Sequence, residues 1–480
     1  MQLFYTPRHA RVGDVIPFYD EGVFKPFYLK NWNPYFGEDR SDGWHMLTTA
    51  DNLHITDETP TGIRGGTGSV VKVDDVYHMF YCVFRRNPQR QYVCHAVSED
   101  LKTWRTLEDE TFGPDERLYI PTDWRDPHVF WNEEEQCWWM VLCALSQGAT
   151  RRRGCIGLCK SKDLHHWTCC APLYDPQSSM SGYECPDMFR MNGWWYLVFS
   201  QFTDRFQTIY RMSRSCHGPW IRPAVDSFDG RAFYAAKTGS DGARRYIYGW
   251  LPTRTQNHWL FNPNPMHEGY DNNTYDWGGS MVVHELAQHD DGTLWVKPID
   301  ALEGALTVPS TLKWVPMNGA WKLEDNGARV ETPGAYASLL SMNQVPAQFR
   351  LHARFTFEPG TERVAICAQV DESFAKGYYF YFEPKRQRVE FKGPLRMHEQ
   401  GGWTFPWDVE LERPLKLAPG KPCDVTLYGD GTAMVLYVDG AVAMCVRVYD
   451  LRERKFGLVV SDGAARFEAL ELKTMGGMEQ

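Results

Sequence analysis

One stretch of the chain, Ser98-Glu99-Asp100-Leu101-Lys102-Thr103-Trp104, recurs as Ser161-Lys162-Asp163-Leu164-His165-His166-Trp167. A weaker copy is Thr49-Ala50-Asp51-Asn52-Leu53-His54. Ser, Asp and Asn are typical of turns because their side chains hydrogen-bond to nearby backbone groups. The chain therefore contains an internal repeat in which one kind of turn recurs.

Aromatic runs typical of β-strands recur at a nearly constant interval. When Tyr28, Phe80, Met140, Leu197 and Tyr248 mark these runs, the intervals are 52, 60, 57 and 51 residues. About 55 residues is enough for four short strands, which is the size of a propeller blade. Segments with the periodicity of amphipathic helices are sparse. The pattern predicts an all-β fold whose residues 1–300 form a five-bladed β-propeller.

The pattern changes beyond a short connector at residues 301–312. Strands with alternating apolar and polar residues follow, as in residues 349–357. The turns Asp430-Gly431 and Asp439-Gly440 indicate hairpins. We expect a C-terminal β-sandwich over residues 313–480, with a supporting or sugar-binding role.

Composition restricts the partners. The 480 residues carry a net charge of −10, which argues against nucleic acids and anionic membranes. An aromatic content of 14%, with 19 Trp, favours β architecture and sugar-stacking surfaces. No apolar run of about 18 residues predicts a membrane helix, and the N-terminus lacks a signal segment. We expect a small carbohydrate as the partner, and the sequence leaves the oligomeric state open.

The cysteines and histidines give no metal pattern. The 13 Cys have spacings that fit no zinc motif, and many lie in predicted strands, so they are interpreted as reduced core thiols. The pair His165-His166 lies in a repeat turn and away from the acidic motifs. The sequence therefore predicts a cytoplasmic protein with no metal and no cofactor.

Three acidic residues each precede an aromatic strand in distant parts of the chain. They are Asp14 in Gly13-Asp14-Val15, Asp126 in Trp124-Arg125-Asp126-Pro127 and Glu184 in Tyr183-Glu184-Cys185-Pro186. Any one of them alone is interpreted as a turn or cap residue. Propeller strands start near the central axis, so acids from several blades can meet there. Glycoside cleavage needs two carboxylates flanking the bond, and a third acid beside an arginine stays ionised.

These motifs resemble those of glycoside hydrolase family 32, the β-fructofuranosidases, over about residues 10–300 and into the sandwich. Arg125-Asp126-Pro127 resembles the family's Arg-Asp-Pro motif, and Glu184-Cys185-Pro186 resembles its Glu-Cys motif. The resemblance implies that Asp14 is the nucleophile, Glu184 the general acid/base and Asp126 the stabiliser of the transition state.

Other stretches resemble substrate-binding segments of the family. They are Gly43-Trp44-His45, Thr67-Gly68-Ser69, Phe233-Tyr234-Ala235, Tyr248-Gly249-Trp250 and Trp277-Gly278-Gly279. The resemblance implies that Arg125, Trp44, Ser69, Tyr234 and Trp277 bind substrate.

The first motif departs from the family. The family usually has Trp-Met-Asn-Asp-Pro-Asn-Gly and then a strand ending in Phe-Tyr-Gln. This chain has Gly13 before Asp14 and Leu29 at the end of that strand. Two polar groups that bind fructose in the family are therefore replaced.

The expected activity is that of a retaining exo-β-fructofuranosidase releasing terminal fructose from sucrose or short fructo-oligosaccharides. One alternative is an arabinan-type or other furanosidase of the same clan. A second alternative is a non-catalytic carbohydrate-binding propeller.

Overall fold

The computed structural model describes residues 1–32, 43–255, 269–271, 274–393 and 411–476. Strands dominate these residues, and the predicted all-β class is confirmed. The described ranges also contain one α-helix, α1 (Asp300–Ala305), and one 3-10 helix, Glu108–Glu110. Neither helix has the length and apolar character needed to cross a membrane.

The chain divides into two compact units. The first consists of Met1, residues 5–251 and residues 277–295, and the second of residues 2–4, 252–276 and 296–480. The boundaries at residues 300 and 312 stay a prediction.

The strands before α1 number 21 in the described residues. They are β1 (Ala10–Ile16), β2 (Tyr19–Asp20), β3 (Val23–Phe24), β4 (Phe27–Trp32), β5 (Gly43–Thr49), β6 (Ile55–Pro60), β7 (Gly68–Val73), β8 (Val76–Arg86), β9 (Gln89–Ser98), β10 (Arg105–Thr106), β11 (Tyr119–Asn132), β12 (Cys137–Ser146), β13 (Gly154–Ser161), β14 (Thr168–Tyr174), β15 (Tyr183–Met191), β16 (Trp194–Gln201), β17 (Gln207–Ser213), β18 (Tyr234–Ser240), β19 (Arg245–Thr255), β20 (Thr274–Gln288) and β21 (Leu294–Lys297).

Sequence neighbours pair in the sheets of the first unit. Strands β7–β10, β11–β14 and β15–β17 form three separate sheets over the described residues. A larger sheet contains β1–β6 and β18–β21, because β1 pairs with β4 on one side and β20 on the other. The register places Val12 opposite Gly279. The first strand of the unit is therefore bound to one of its last strands.

The aromatic runs form the core of this unit. The five residues that mark the repeat are all buried: Tyr28, Phe80, Met140, Leu197 and Tyr248. Burying a large apolar side chain contributes about 1.5–3 kcal/mol, so these runs account for much of the stability of the unit.

The repeated turns have the same hydrogen bonds. Ser98 Oγ accepts from the N–H of Leu101, and Asp100 Oδ1 accepts from the N–H of Thr103. Trp104 Nε1 donates to the carbonyl of Leu101. The copy at residues 161–167 has the same three hydrogen bonds. In the weaker copy, Thr49 and Asp51 accept the two corresponding bonds from backbone N–H groups. The repeat is therefore a local hydrogen-bonded turn that the sequence encodes directly.

Four strands of the first unit share an irregularity. The register shifts between Val12 and Val15 in β1, Arg125 and His128 in β11, Glu184 and Asp187 in β15, and Tyr234 and Lys237 in β18. Within the last three shifts, Asp126, Cys185 and Ala235 have positive φ angles of 57°, 50° and 53°. A β-bulge bends its strand and re-aims the neighbouring side chains. The four irregularities flank the predicted acids and Tyr234.

The second unit contains the remaining strands. In the described residues they are β22 (Val308–Ser310), β23 (Trp314–Asn318), β24 (Lys322–Glu324), β25 (Gly327–Gln344), β26 (Gln348–Phe357), β27 (Arg363–Val370), β28 (Tyr378–Glu383), β29 (Arg388–Lys392), β30 (Leu411–Pro414), β31 (Cys423–Asp430), β32 (Ala433–Val438), β33 (Val442–Arg447) and β34 (Lys455–Thr474). The long strand β34 pairs with β22, β25, β26 and β27 and so connects the unit.

Candidate active site

The three predicted carboxylates meet in the first unit. Asp14 lies on β1, Asp126 on β11 and Glu184 on β15, each at one of the register shifts. The three are close enough for the charge of each of the other two to raise the pKa of Asp126. The structure thus brings together acids that are up to 170 residues apart in the sequence.

Asp14 is held from both sides. Its Oδ2 accepts a hydrogen bond from Thr67 Oγ1, and its Oδ1 accepts one from Trp250 Nε1 at 2.9 Å. Burial raises the pKa of Asp14, the two hydrogen bonds oppose this rise, and the charge of Glu184 adds to it. Both oxygens accept hydrogen bonds, so the carboxylate is fixed in one orientation.

Glu184 is the more accessible acid, with 23% of its side chain exposed. Its Oε1 accepts from Arg125 Nη2 at 2.9 Å, and its Oε2 accepts from the hydroxyl of Tyr234 at 2.6 Å. Two such donors fix the position of the carboxylate.

Arg125 is a cation shared between acids. Its guanidinium pairs with Asp123 and Glu184, and its Nε lies 3.7 Å from Asp126 Oδ2. The backbone N–H of Cys185 also donates to Asp126 Oδ2, at 2.9 Å. Burial raises the pKa of Asp126 to about 6, with Arg125 lowering it and the other two carboxylates raising it. Asp126 is therefore ionised at neutral pH.

Buried ionisable groups surround the carboxylates. Lys237 Nζ donates to the carbonyl of Gly68 at 3.0 Å, and burial lowers the pKa of this lysine. Burial raises the pKa of three thiols that interact electrostatically with these acids, Cys82, Cys143 and Cys185. The three thiols are therefore protonated at physiological pH.

A row of aromatic rings continues from Tyr234. Its ring stacks on Phe206 with centroids 4.4 Å apart and contacts Trp250 at 5.4 Å. Trp277, which is half-buried, packs edge-on against Trp250 at 6.3 Å. A Cβ atom added to Gly13 would lie 2.1 Å from Cη2 of Trp277. The indole therefore occupies the space that a side chain at position 13 would need.

The side chains of two predicted substrate-binding residues, Trp44 and Ser69, are buried and used in packing or in a backbone contact. Trp44 is 1% exposed and belongs to a hydrophobic cluster with Phe27 and Met46. Ser69 is buried, and its Oγ accepts from the backbone N–H of Val129 at 2.9 Å. Trp44 thus packs in the core, and Ser69 connects β7 to β11.

Three site residues were not among those singled out from the sequence. Thr67 and Trp250 hold Asp14, and Asp123 pairs with Arg125. Thr67 and Trp250 belong to stretches that resemble family segments, so these stretches contained the signal. Asp123 lies two positions before Arg125, a spacing that places two side chains on the same face of a strand.

Comparison with known proteins identifies the family. Residues 16–298 match the description "Glycosyl hydrolases family 32 N-terminal domain". The chain belongs to glycosyl hydrolase family 32. The match begins just after Asp14 and covers more than half of the chain.

Curated relatives carry related names. A levanbiose-producing levanase of Bacillus subtilis (strain 168) is 25% identical over 68% of this chain and 65% of its own length. A sucrose-6-phosphate hydrolase of Escherichia coli is 26% identical over 43% of each chain. The alignment with the levanase thus spans just under two thirds of that protein.

Solved structures share the fold over nearly the whole chain. An exo-inulinase from Aspergillus awamori superposes with a TM-score of 0.70 and 16% identity, covering 99% of this chain and 98% of the other. A sucrose-6-phosphate hydrolase from Lactobacillus gasseri gives 0.71 and 15%, covering 99% and 93%. The resemblance to family 32 that was drawn from the motifs is confirmed.

Proposed function

We propose that this family 32 member is a retaining, exo-acting β-fructofuranosidase that releases terminal fructose from sucrose or short fructo-oligosaccharides. The observation that carries the proposal is the meeting of Asp14, Asp126 and Glu184, with Arg125 and Tyr234 donating to Glu184. Two carboxylates on opposite sides of a glycosidic bond are the requirement for its cleavage.

The proposed reaction has two steps. In the first, Asp14 attacks the anomeric carbon of the fructosyl unit while Glu184 donates a proton to the departing oxygen. In the second, Glu184 takes a proton from water, which attacks the fructosyl-enzyme and releases fructose from Asp14. The hydrogen bonds from Thr67 and Trp250 favour this role, because they orient Asp14 for attack.

Asp126 is proposed to accept hydrogen bonds from fructose hydroxyls. Its nearness to Arg125 and its hydrogen bond from Cys185 favour the ionised form that this role needs. Arg125 and Tyr234 are proposed as substrate-site residues that also position Glu184. Trp277 completes the proposed binding set, whereas we leave out Trp44 and Ser69 because their side chains are used in packing and in a backbone contact.

We propose five blades for the frame that holds this site. The three separate sheets account for three blades. The larger sheet accounts for two, one around β4–β6 and one around β18–β21, joined where β1 pairs with β20. The sandwich over residues 313–480 and the cytoplasmic compartment stay predictions.

A second candidate is hydrolysis of a different furanoside. It is favoured by one observation, the indole of Trp277 over Gly13, where the family usually has an amide. A lost hydrogen bond to a sugar hydroxyl costs about 1–3 kcal/mol, so ordinary fructose is bound less tightly unless other groups compensate. We therefore expect modest activity on plain sucrose.

A sugar-release screen tests the proposal. Purified full-length protein is incubated with sucrose, sucrose 6-phosphate, inulin, levan, raffinose and arabinan, with the Glu184→Gln protein as control. Fructose as the released sugar, absent with the control, is the expected result. In methanol-containing buffer, retention gives the methyl β-fructofuranoside. Release of arabinose alone would favour the second candidate, and a folded protein without any release would favour a non-catalytic propeller.

A further inference from the structure

A cluster of histidines and one glutamate lies apart from the carboxylates that form the candidate active site. His95 lies on β9, Glu110 ends the 3-10 helix, and His165 lies in the second copy of the repeated turn. His95 Nδ1 is 2.6 Å from Glu110 Oε2, and His165 Nδ1 is 2.9 Å from Glu110 Oε1. One ligand atom from each side chain lies within 4.8 Å of the others.

We propose that His95, Glu110 and His165 bind one divalent transition-metal ion of the zinc class. Two imidazole nitrogens and a carboxylate form a donor set that Zn²⁺ accepts, with bond lengths of about 2.0–2.2 Å. Both Nδ1 atoms already face the same carboxylate. Three protein ligands leave a fourth tetrahedral position for water.

A third histidine, His78, supports the site through the other ring nitrogen of His95. His78 Nδ1 lies 2.9 Å from His95 Nε2. When Nδ1 of His95 binds a metal, its proton must be on Nε2, and His78 then accepts the hydrogen bond. Metal-binding histidines almost always have such a partner on the other ring nitrogen, and the partner fixes the ring. The contact between His78 and His95 thus serves either tautomer without the loss of a hydrogen bond.

The ligands are held in place by packing. The ring of Phe80 stacks on His95 at 4.3 Å, and Trp167 packs edge-on against Phe80 at 5.5 Å. Asp163 Oδ1 accepts from the backbone N–H of His165, which fixes the turn. His95 is buried, whereas 41% of the His165 side chain is exposed, so an ion reaches the cluster from the solvent side.

The bound ion would connect separate parts of the first unit. It would link β9 of one sheet to the turn after β13 of another sheet, through the 3-10 helix between β10 and β11. We expect the ion to raise thermal stability, because a ligand that binds only the folded state stabilises that state. We expect no effect on turnover.

The test measures zinc binding to the full-length protein after treatment with a chelator. Equilibrium dialysis against ZnCl₂ should give one ion per chain that is lost, or bound at least about 100-fold more weakly, in Glu110→Gln and His165→Asn. The matched control is His166→Asn. His166 is the adjacent histidine of the same turn and bonds to Asp163 instead, so this variant should bind like the wild type. Addition of ZnCl₂ should raise the melting temperature of the wild type and of this control only.

Cobalt provides a spectroscopic check, because the chain also contains 13 cysteines. Co²⁺ bound at the cluster should give the visible absorption of nitrogen and oxygen ligands without a thiolate charge-transfer band. A thiolate band, zinc binding unchanged in both ligand variants, or no binding by the wild type would each overturn the proposal. Far-ultraviolet circular dichroism confirms that each variant is folded before its result is used.

Discussion

The close approach of Trp277 to Gly13 makes a double-mutant cycle at these positions informative. A Cβ at position 13 would lie 2.1 Å from Cη2 of the indole and 2.5 Å from Cζ2, whereas carbon atoms in contact lie about 3.5–4.0 Å apart. The ring would have to move by roughly 1.5 Å to reach ordinary contact. Overpacking of this kind costs about 1–3 kcal/mol.

We expect Gly13→Asn to lower the free energy of unfolding by that amount in the wild-type background. In the Trp277→Ala background, the same change should cost about 1–3 kcal/mol less, which is the coupling energy, and the close contact that remains is the carbonyl oxygen of Leu29, 3.0 Å from the added Cβ. Because Trp277 packs on Trp250, which donates to Asp14, the strained single variant should also lose about tenfold or more in kcat/KM. In the double variant the amide is free to bond a fructose hydroxyl. Sucrose hydrolysis should then exceed that of Trp277→Ala by about tenfold, equivalent to roughly 1.4 kcal/mol.

The assay combines urea unfolding, followed by tryptophan fluorescence, with sucrose kinetics for the four proteins of the cycle. The control is Gly148→Asn, because a Cβ at Gly148 meets no atom within 4 Å. This control should change neither quantity. Equal destabilisation by Gly13→Asn in both backgrounds would refute the reasoning that the indole excludes a side chain at position 13.

The other predictions concern the carboxylates and their partners. Asp14→Asn and Glu184→Gln should each lower kcat on an unactivated fructoside by at least about a thousandfold, with an unchanged circular dichroism spectrum; near-normal turnover would remove the residue from its role. Tyr234→Phe removes a hydrogen bond to Glu184 and leaves a partner unsatisfied, which costs about 1–3 kcal/mol, so kcat/KM should fall roughly fivefold to a hundredfold. In the free enzyme, kcat/KM should fall as the pH decreases through about 6, because Asp126 becomes protonated. Arg125→Gln should shift the midpoint of this decrease in kcat/KM to higher pH, because the guanidinium lowers the pKa of Asp126. An unchanged midpoint would contradict this explanation. The raised pKa of Asp126 also makes the free energy of unfolding depend on pH. Its stabilising contribution is fully present below about pH 4 and is lost as the pH rises through about 6. Urea unfolding of the wild type and of Asp126→Asn across this pH range measures the contribution.

Local features of the sequence predicted much of the frame. The repeated turns are built from hydrogen bonds between residues two or three positions apart, so the local amino-acid sequence is sufficient to identify them. The aromatic runs have the strand periods and spacing that a repeated all-β unit needs, and their marker residues are buried. The acids were found because each precedes an aromatic run within a recognisable motif, although the structure places all three inside strands, at register shifts. Such signals need no knowledge of distant residues.

Tertiary structure decided which side chains face each other. The sequence placed Trp44 in the site, but its ring packs in the core, because a strand's register and bulges determine which face a residue takes. His165 was interpreted as a turn residue, yet it lies beside Glu110 of the 3-10 helix, 55 residues earlier in the chain. The sequence showed Gly13 only as the loss of a polar group. In the structure, the indole of Trp277, more than 260 positions away, fills the space that a side chain at position 13 would need. These outcomes depend on the volume and orientation of side chains that come from distant parts of the chain, and the local sequence of a strand does not specify them.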